Sequence, residues 1–117
     1  MTVWGYDIFD NDEAVDVRAL FENELETGSS VTHATAVVLR ESKDVLDDPD
    51  SGPIVWLALA ALQLSRGELH TDVRDHALAV IDGGEDLKRW EAEASPEDAA
   101  GRKRVLDDLR ARLVASA

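Results

Sequence analysis

The nine-residue apolar run from Ile54 to Leu62 constrains the fold more than any other segment of the chain. It is apolar nearly all the way round a helix, so other elements must surround that helix. Pro53 fits its first turn, where the missing N–H costs little, and Gly67 ends it after Arg66. The run is well short of the roughly 20 residues that a membrane span needs. We therefore predict a central buried helix over residues 53–66.

Helical periodicity and glycine stops predict a further helix on the N-terminal side of this central one. The segment 11–27 has apolar residues at helical spacing, and Gly28 after it is a good helix terminator. Asp10 and Glu13 have the spacing of a capping box, with Asp in place of Ser or Thr. The first helix is therefore predicted over 11–27, with its cap at Asp10.

A second helix is predicted over 31–46, capped by Ser29 or Ser30. Its run of β-branched valines and threonines lowers the helix propensity. A strand over 31–39 is therefore the alternative interpretation.

The C-terminal half has periodic segments separated by short loops, which favour antiparallel neighbours in a bundle. The predicted helices are 72–82 with Thr71 as its cap, 85–94, and a last helix from Pro96 with Ser95 as its cap. We interpret Trp56 and Trp90 as core or interface anchors. The sequence thus predicts an all-α fold, a compact single-domain bundle of five to six short helices over 1–117. An irregular N-terminal arm over 1–9 precedes the bundle.

Charge is distributed unevenly along the chain, whose net charge is −13. Residues 1–50 hold 13 acids and 3 bases, and residues 51–117 hold 12 acids and 9 bases. An acidic surface repels phosphate backbones, so we predict no nucleic-acid partner. The basic stretch 101–112 allows two interpretations. Either the last helix lies beside an acidic earlier helix, or the acidic half faces a basic partner.

The start of the chain lacks the features of a signal peptide, because it has no basic side chain and because Asp7, Asp10 and Asp12 interrupt any apolar stretch. There is no cysteine, which excludes disulfides and thiolate metal sites. We therefore expect a cytoplasmic protein without membrane attachment.

Motifs that carry catalytic or metal chemistry do not match this chain. An EF-hand loop counted from Asp48 would place Pro53 where the loop needs its glycine. His33, His70 and His76 lie on different predicted elements, without the spacing of a helical zinc site. Walker and nucleophile-elbow motifs are also missing. We therefore predict no catalytic residue, no metal site, no cofactor and no enzymatic activity.

The opening run is unlike a generic helix, because two large aromatics and a glycine precede an acidic helix start. The run reads Trp4-Gly5-x-x-Ile8-Phe9-Asp10-Asn11-Asp12-x-Ala14. It resembles the opening of a bacterial, largely actinobacterial family that is classed as a domain of unknown function. Members are similar in length, and most begin with a Trp-Gly-x-Gly-x-Phe-x-Asn-Asp-x-Ala type of motif. Asp7 stands where many members have the second glycine. The resemblance is specific over residues 4–17 and implies no activity and no functional residue.

This motif has a structural and a functional interpretation. In the structural one, Trp4 and Phe9 fill the end of the bundle and Gly5 lets the arm pass close to it. In the functional one, the motif forms an acidic aromatic interaction surface. Its residues would be Trp4, Tyr6, Asp10, Asn11 and Asp12.

Three hypotheses for the function follow from these observations. The leading one is a non-enzymatic interaction protein, similar to an inhibitor or an immunity protein, whose acidic face binds a basic protein. The second is a structural homo-oligomer, in which the acidic half of one copy meets the basic last helix of another. The third is a small-ligand or metal-binding protein, or an enzyme, that uses carboxylates together with His33 or His76.

Overall fold

A computed structural model of the chain describes residues 5–116, and short loops join the helices within it. These helices are α1 (Asp12–Glu26), α2 (Val31–Glu41), α3 (Lys43–Leu46), α4 (Ser51–Ser65), α5 (Thr71–Gly83), α6 (Glu85–Glu93) and α7 (Pro96–Ala115). Residues 5–116 contain no β-strand, which confirms the all-α class. The radius of gyration of 13.6 Å is close to the value of about 13 Å for a compact chain of roughly 100 residues. No helix in this range combines the length and the hydropathy that a membrane crossing requires.

The apolar run of α4 lies at the centre of the molecule, as the sequence predicted. Val55 and Leu59 are fully buried, and Leu57 is 1% exposed. Helices α1, α3, α5 and α7 all pack against α4. Their buried apolar side chains include Val17, Phe21, Val73, Ala77, Leu106, Leu109 and Leu113. Burying each large apolar side chain contributes roughly 1.5–3 kcal/mol to stability. The packing of four helices on α4 therefore accounts for much of the stability of the core.

Residues 31–39 are helical, which decides between the two interpretations of that segment. The Ser30 hydroxyl accepts a hydrogen bond from the N–H of His33 at 3.0 Å and so caps α2. Ala34 and Val38 on the inner face of α2 are fully buried. Packing supplies most of the stability of helices in proteins, so burial of this face outweighs the weak propensity of its β-branched residues.

The helix predicted over 31–46 is interrupted at Ser42, so residues 5–116 hold seven helices rather than five to six. Beyond Ser42, α3 turns onto the start of α4. The approach is so close that a Cβ on Gly52 would overlap the carbonyl oxygen of Leu46. This turn places Val45 and Leu46 against the core. The burial of these two side chains offsets the loss of a continuous helix.

Helix α4 begins at Ser51, two residues before Pro53. The carboxylate of Asp48 accepts the N–H groups of Asp50 at 2.8 Å and of Ser51 at 3.0 Å. The bonds from Ser51 and then Asp50 lower the pKa of Asp48, because they stabilise its charged form. Asp48 thus supplies the side-chain acceptor at the start of the central helix.

The predicted start of the last helix is confirmed, and that of the fourth predicted helix differs. The hydroxyl of Ser95 accepts the N–H of Asp98 at 3.1 Å, and Pro96 is the first helical residue. Thr71 is the first residue of α5 rather than its cap, and the preceding His70 makes no side-chain capping bond.

Gln63 on α4 is a fully buried polar residue with both ends of its amide bonded. Its nitrogen donates to the hydroxyl of Thr35 at 2.9 Å, and its oxygen accepts the N–H of His70 at 2.8 Å. An unpaired buried amide would cost about 1–3 kcal/mol. These bonds therefore hold α2 and the α4–α5 loop in one position against α4.

Candidate interaction surface

Helix α1 begins one residue later than predicted, because Asn11 rather than Asp10 is its cap. The side-chain oxygen of Asn11 accepts the N–H of Ala14 at 2.9 Å, and its nitrogen donates to the carbonyl of Ile8 at 3.1 Å. Asn11 is 3% exposed and Ile8 is 6% exposed. Because an aspartate lacks the donor for Ile8, the site favours the amide.

Asp10 closes a second turn inside the arm. Its carboxylate accepts the N–H of Asp7, and its own N–H donates to the Asp7 carbonyl, both at 3.2 Å. A Cβ on Gly5 would overlap the Asp10 carboxylate. Gly5 was expected to let the arm pass close to the bundle. The close contact at Gly5 is instead with Asp10, inside the arm.

Arg102 on α7 fastens the arm to the rest of the molecule. Its Nε donates to Oδ1 of Asp86 at 2.8 Å and its Nη2 to Oδ2 at 3.0 Å, and both residues are 2% exposed. Nη1 donates to the carbonyls of Tyr6 at 3.0 Å and Asp7 at 3.3 Å. The guanidinium carbon also lies 5.3 Å from the centre of the Trp90 ring. A buried ion pair of this kind needs such additional bonds to offset its desolvation.

The sequence holds a signal for this buried arginine that the predictions from the sequence did not include. Arg102 falls within the alternating three- and four-residue spacing of the buried positions on α7. These positions are Ala99, Arg102, Leu106, Leu109 and Leu113. Gly101 is buried beside them, under the Tyr6 ring. A charged residue on such a stripe indicates a buried charge with a partner.

Aromatic and apolar residues of the arm pack against the helices. An added Cβ on Gly101 would come within 2.8 Å of ring atoms of Tyr6, so the ring lies directly on α7. Phe9 packs at the edge of the core, with the guanidinium carbon of Arg18 5.0 Å from the centre of its ring. The packing predicted for Phe9 is therefore confirmed.

The five residues predicted as an interaction surface lie in different environments. Trp4 lies outside the described residues. Tyr6 is 39% exposed, and Asp12 is exposed in the first turn of α1. Asp10 is half-buried and Asn11 is buried, with their side chains bonded within the arm. An interaction role for this set stays a prediction, in which Tyr6 and Asp12 are the members with exposed side chains.

Ion pairs divide the described residues into two regions. In residues 51–116, seven of the twelve acids lie within 4.0 Å of a basic side chain. In residues 5–50, three of the thirteen acids do so. They are Glu24 beside His33, Glu41 beside Arg40, and Asp50 beside Arg89. Most carboxylates of the first half therefore have no ion-pair partner within residues 5–116.

Four of the five basic residues of α7 form ion pairs, with acids of α5, α6 and α7 itself. Arg110 makes two hydrogen bonds to Asp82 of α5, the shorter at 2.7 Å. The guanidinium lowers the pKa of Asp82, and Asp82 raises the pKa of Arg110. The last helix thus lies beside α5 and α6, and within residues 5–116 none of its bases forms an ion pair with a carboxylate of α1.

An open groove of about 720 Å³ runs between α1 and the junction of α2 with α3, and we call it the acidic groove. Its apolar lining includes Val17, Leu20 and Val45. Val17 is buried, whereas Leu20 and Val45 are half-buried, so part of this apolar lining faces solvent.

Three carboxylates stand along the acidic groove. Glu13 and Asp16 project from α1, and Glu41 projects from the end of α2. Glu13 accepts a hydrogen bond from the hydroxyl of Ser51 at 3.1 Å. The residues that line the groove, all within the described part of the chain, include no lysine or arginine. The acidic excess of the first half is visible in the sequence, but the groove is not, because α2 and α3 were predicted to form one helix.

The three histidines lie in separate places. His33 is 3.9 Å from Glu24, His70 pairs with a neighbouring glutamate at 2.8 Å, and His76 stacks on Trp56 with 3.9 Å between ring centres. Trp56 is half-buried and His76 is exposed. No group of three or more acids and histidines that would suit a metal ion occurs within residues 5–116.

The fold and the acidic groove define a small, acidic, all-α domain. The chain belongs to the family described as Domain of unknown function (DUF4259), whose model matches residues 2–116. The resemblance to a domain family of unknown function is thus confirmed over nearly the whole chain. The comparisons found no matching curated protein and no matching solved structure.

Proposed function

We propose that this domain is a non-enzymatic interaction module that offers the acidic face of α1 and α2 to a basic protein. The distribution of ion pairs carries the proposal. Four of the five bases of α7 pair with acids of α5, α6 and α7 itself, and most carboxylates of residues 5–50 have no ion-pair partner among residues 5–116. Like charges gathered on one face repel one another and destabilise the compact state. A basic partner would relieve that repulsion.

A surface of this kind suits a protein that covers the basic site of another protein, as an inhibitor or an immunity protein does. Complementary charge steers two proteins together and raises the association rate, most strongly at low salt. The half-buried Leu20 and Val45 supply apolar area that would be buried on binding. Charge would then set the rate of association and the choice of partner, and the apolar lining would slow dissociation.

The homo-oligomer hypothesis has less support from the same geometry. It requires the bases of α7 to be available to another copy. Arg102 is buried against Asp86, and Arg110 is bonded to Asp82. Lys103 and Arg112 lie near acids one turn away on α7, which leaves Arg104 as the exposed base of α7 without an ion pair within residues 5–116.

The test compares two variants with equal changes in charge. Asp16→Lys/Glu41→Lys changes both walls of the acidic groove. Glu91→Lys/Glu93→Lys makes the same change at two exposed positions near the end of α6. Each protein carries a tag, is purified gently from its own host and is weighed by native mass spectrometry.

We expect the wild type and the α6 variant to retain a stoichiometric basic protein, and the groove variant to lose it. A partner that the groove variant retains would contradict the proposal. A clean monomer or homodimer of the wild type would contradict it as well.

A further inference from the structure

We infer that the acidic groove binds a single amphipathic helix of the partner, with one apolar stripe and basic residues on both sides of it. The inference rests on the proposed function, to which it adds the secondary structure and side-chain pattern of the ligand. A flexible basic tail is the simplest alternative ligand for an acidic face, and the lining of the groove disfavours it.

The apolar lining is the first reason. Leu20 and Val45 are half-buried and line the groove above the buried Val17. Lysine and arginine side chains alone would satisfy the carboxylates and leave these apolar atoms in contact with water. A ligand with an apolar stripe removes them from water and gains the associated free energy.

The walls of the groove are the second reason. They come from α1, from α2 and from Val45 on α3. The backbone N–H and C=O groups of these residues are largely hydrogen-bonded within the helices. A groove of this kind offers side chains rather than the free backbone edge that an extended peptide would need. A helical ligand satisfies its own backbone N–H and C=O groups, so it can lie there without leaving them unpaired.

The size of the groove is the third reason. Its lining on α1 runs from Glu13 to Asn23, which is about 15 Å at the 1.5 Å rise per residue of a helix. That length corresponds to about three turns of a helix lying along α1. Such a segment has space for three or four apolar residues in one stripe.

The charges specify the flanks of the stripe. Glu13 and Asp16 stand on α1, and Glu41 stands across the groove on α2. A helix lying between them brings its two flanks towards carboxylates on different walls. Basic residues on both flanks therefore fit better than a basic cluster on one side.

The test uses two synthetic peptides of about 14 residues with the same content of Leu, Lys and Ala. In the first, the leucines recur at three- and four-residue spacing with lysines on both sides. In the second, the same residues are arranged without a helical stripe. Binding of each labelled peptide is measured by fluorescence anisotropy at two salt concentrations.

The groove is blocked with Ala19→Phe, because Ala19 is exposed and lines the groove. The matched control is Ala111→Phe, at an exposed position of α7. Circular dichroism checks that both variants keep the helical content of the wild type. We expect the striped peptide to bind about tenfold more tightly than the other. We expect Ala19→Phe to weaken that binding about tenfold and Ala111→Phe to leave it within about twofold.

Equal binding of the two peptides would overturn the inference. Equal binding of the striped peptide to both variants would also overturn it, since the ligand would then lie elsewhere. Either result could coexist with loss of the host partner from the Asp16→Lys/Glu41→Lys variant, in which case the proposed function would stand without the helical ligand.

Discussion

Asp86 on α6 and Asp16 on α1 are both carboxylates on helices of one acidic chain, yet their surroundings are opposite. Asp86 is 2% exposed and receives two hydrogen bonds from a buried guanidinium. Asp16 is exposed on the acidic groove and makes no ion pair within residues 5–116. The second half of the chain packs its helices through apolar side chains and, in addition, uses buried charge to hold α6, α7 and the arm together. The first half holds its helices by apolar packing and leaves its charge facing solvent.

The largest expected effect comes from removing the buried carboxylate. Asp86→Ala leaves the Arg102 guanidinium buried without its partner, so we expect a loss of about 3–5 kcal/mol in the free energy of unfolding. The same change at the exposed Asp16 should lie within about 0.5 kcal/mol of zero. Urea unfolding followed by circular dichroism measures both.

A paired replacement sharpens this result. Asp86→Leu/Arg102→Met removes both charges together, so it should be less destabilising than Asp86→Ala alone. If Asp86→Ala cost less than about 1 kcal/mol, the ion pair would not hold the second half together in the way described.

The next effect concerns Asn11, which ends the arm and caps α1. Asn11→Ala removes the cap and leaves the carbonyl of Ile8 without its partner, so we expect a loss of about 2 kcal/mol. Ser30→Ala removes the exposed cap of α2 and should cost about 1 kcal/mol. Equal losses in thermal or urea unfolding would show that the bond to Ile8 contributes nothing.

A smaller effect, with a change of sign, is expected at Gly101. Gly101→Ala gains about 1 kcal/mol of helix propensity, but the new Cβ would clash with the ring of Tyr6. We expect net destabilisation of about 1 kcal/mol in the wild-type background. In a Tyr6→Ala background the same change should stabilise the protein. A double-mutant cycle measures this difference, and additive effects would mean that the ring does not rest on α7.

The smallest effect concerns the exposed pair of Asp82 and Arg110. The pKa of Asp82 is lowered from its ordinary value of 3.8 in the folded state, so the folded protein binds fewer protons there than the unfolded chain. Its stabilising contribution is therefore present above pH 3.8 and is lost as the pH falls through the folded pKa. Asp82→Asn should reduce the fall in Tm between pH 5 and pH 3 more than Asp16→Asn does. Identical profiles of Tm against pH for the two variants would show that the surface pair of Asp82 and Arg110 contributes no more to stability than Asp16 does.

Local signals predicted the fold well wherever one residue type dominates its surroundings. The run from Ile54 to Leu62 had to be central because no face of it is polar, and Ser95 with Pro96 started a helix where expected. The break at Ser42 had no such local signal. The break goes with the close approach of Leu46 to Gly52. These two residues come into contact only when α3 folds back onto α4.

The candidate site was less predictable for the same reason. The acidic excess of residues 1–50 is visible in the composition, but a groove exists only because α1 lies beside the α2–α3 junction. The motif that begins at Trp4 gave no indication that Asn11 would be buried as a cap. Choosing between Asp10 and Asn11 as the cap requires knowing where Ile8 lies.

The sequence by itself determined the all-α class, the central helix and the sign of the charge on each half, because these follow from residue type and from spacing along one chain. Only the tertiary structure decided which charges are paired. Asp86 and Arg102 are 16 residues apart, and Arg102 and Tyr6 are 96 apart. Electrostatic energy depends on distance in space and on burial, and neither is contained in the order of the residues.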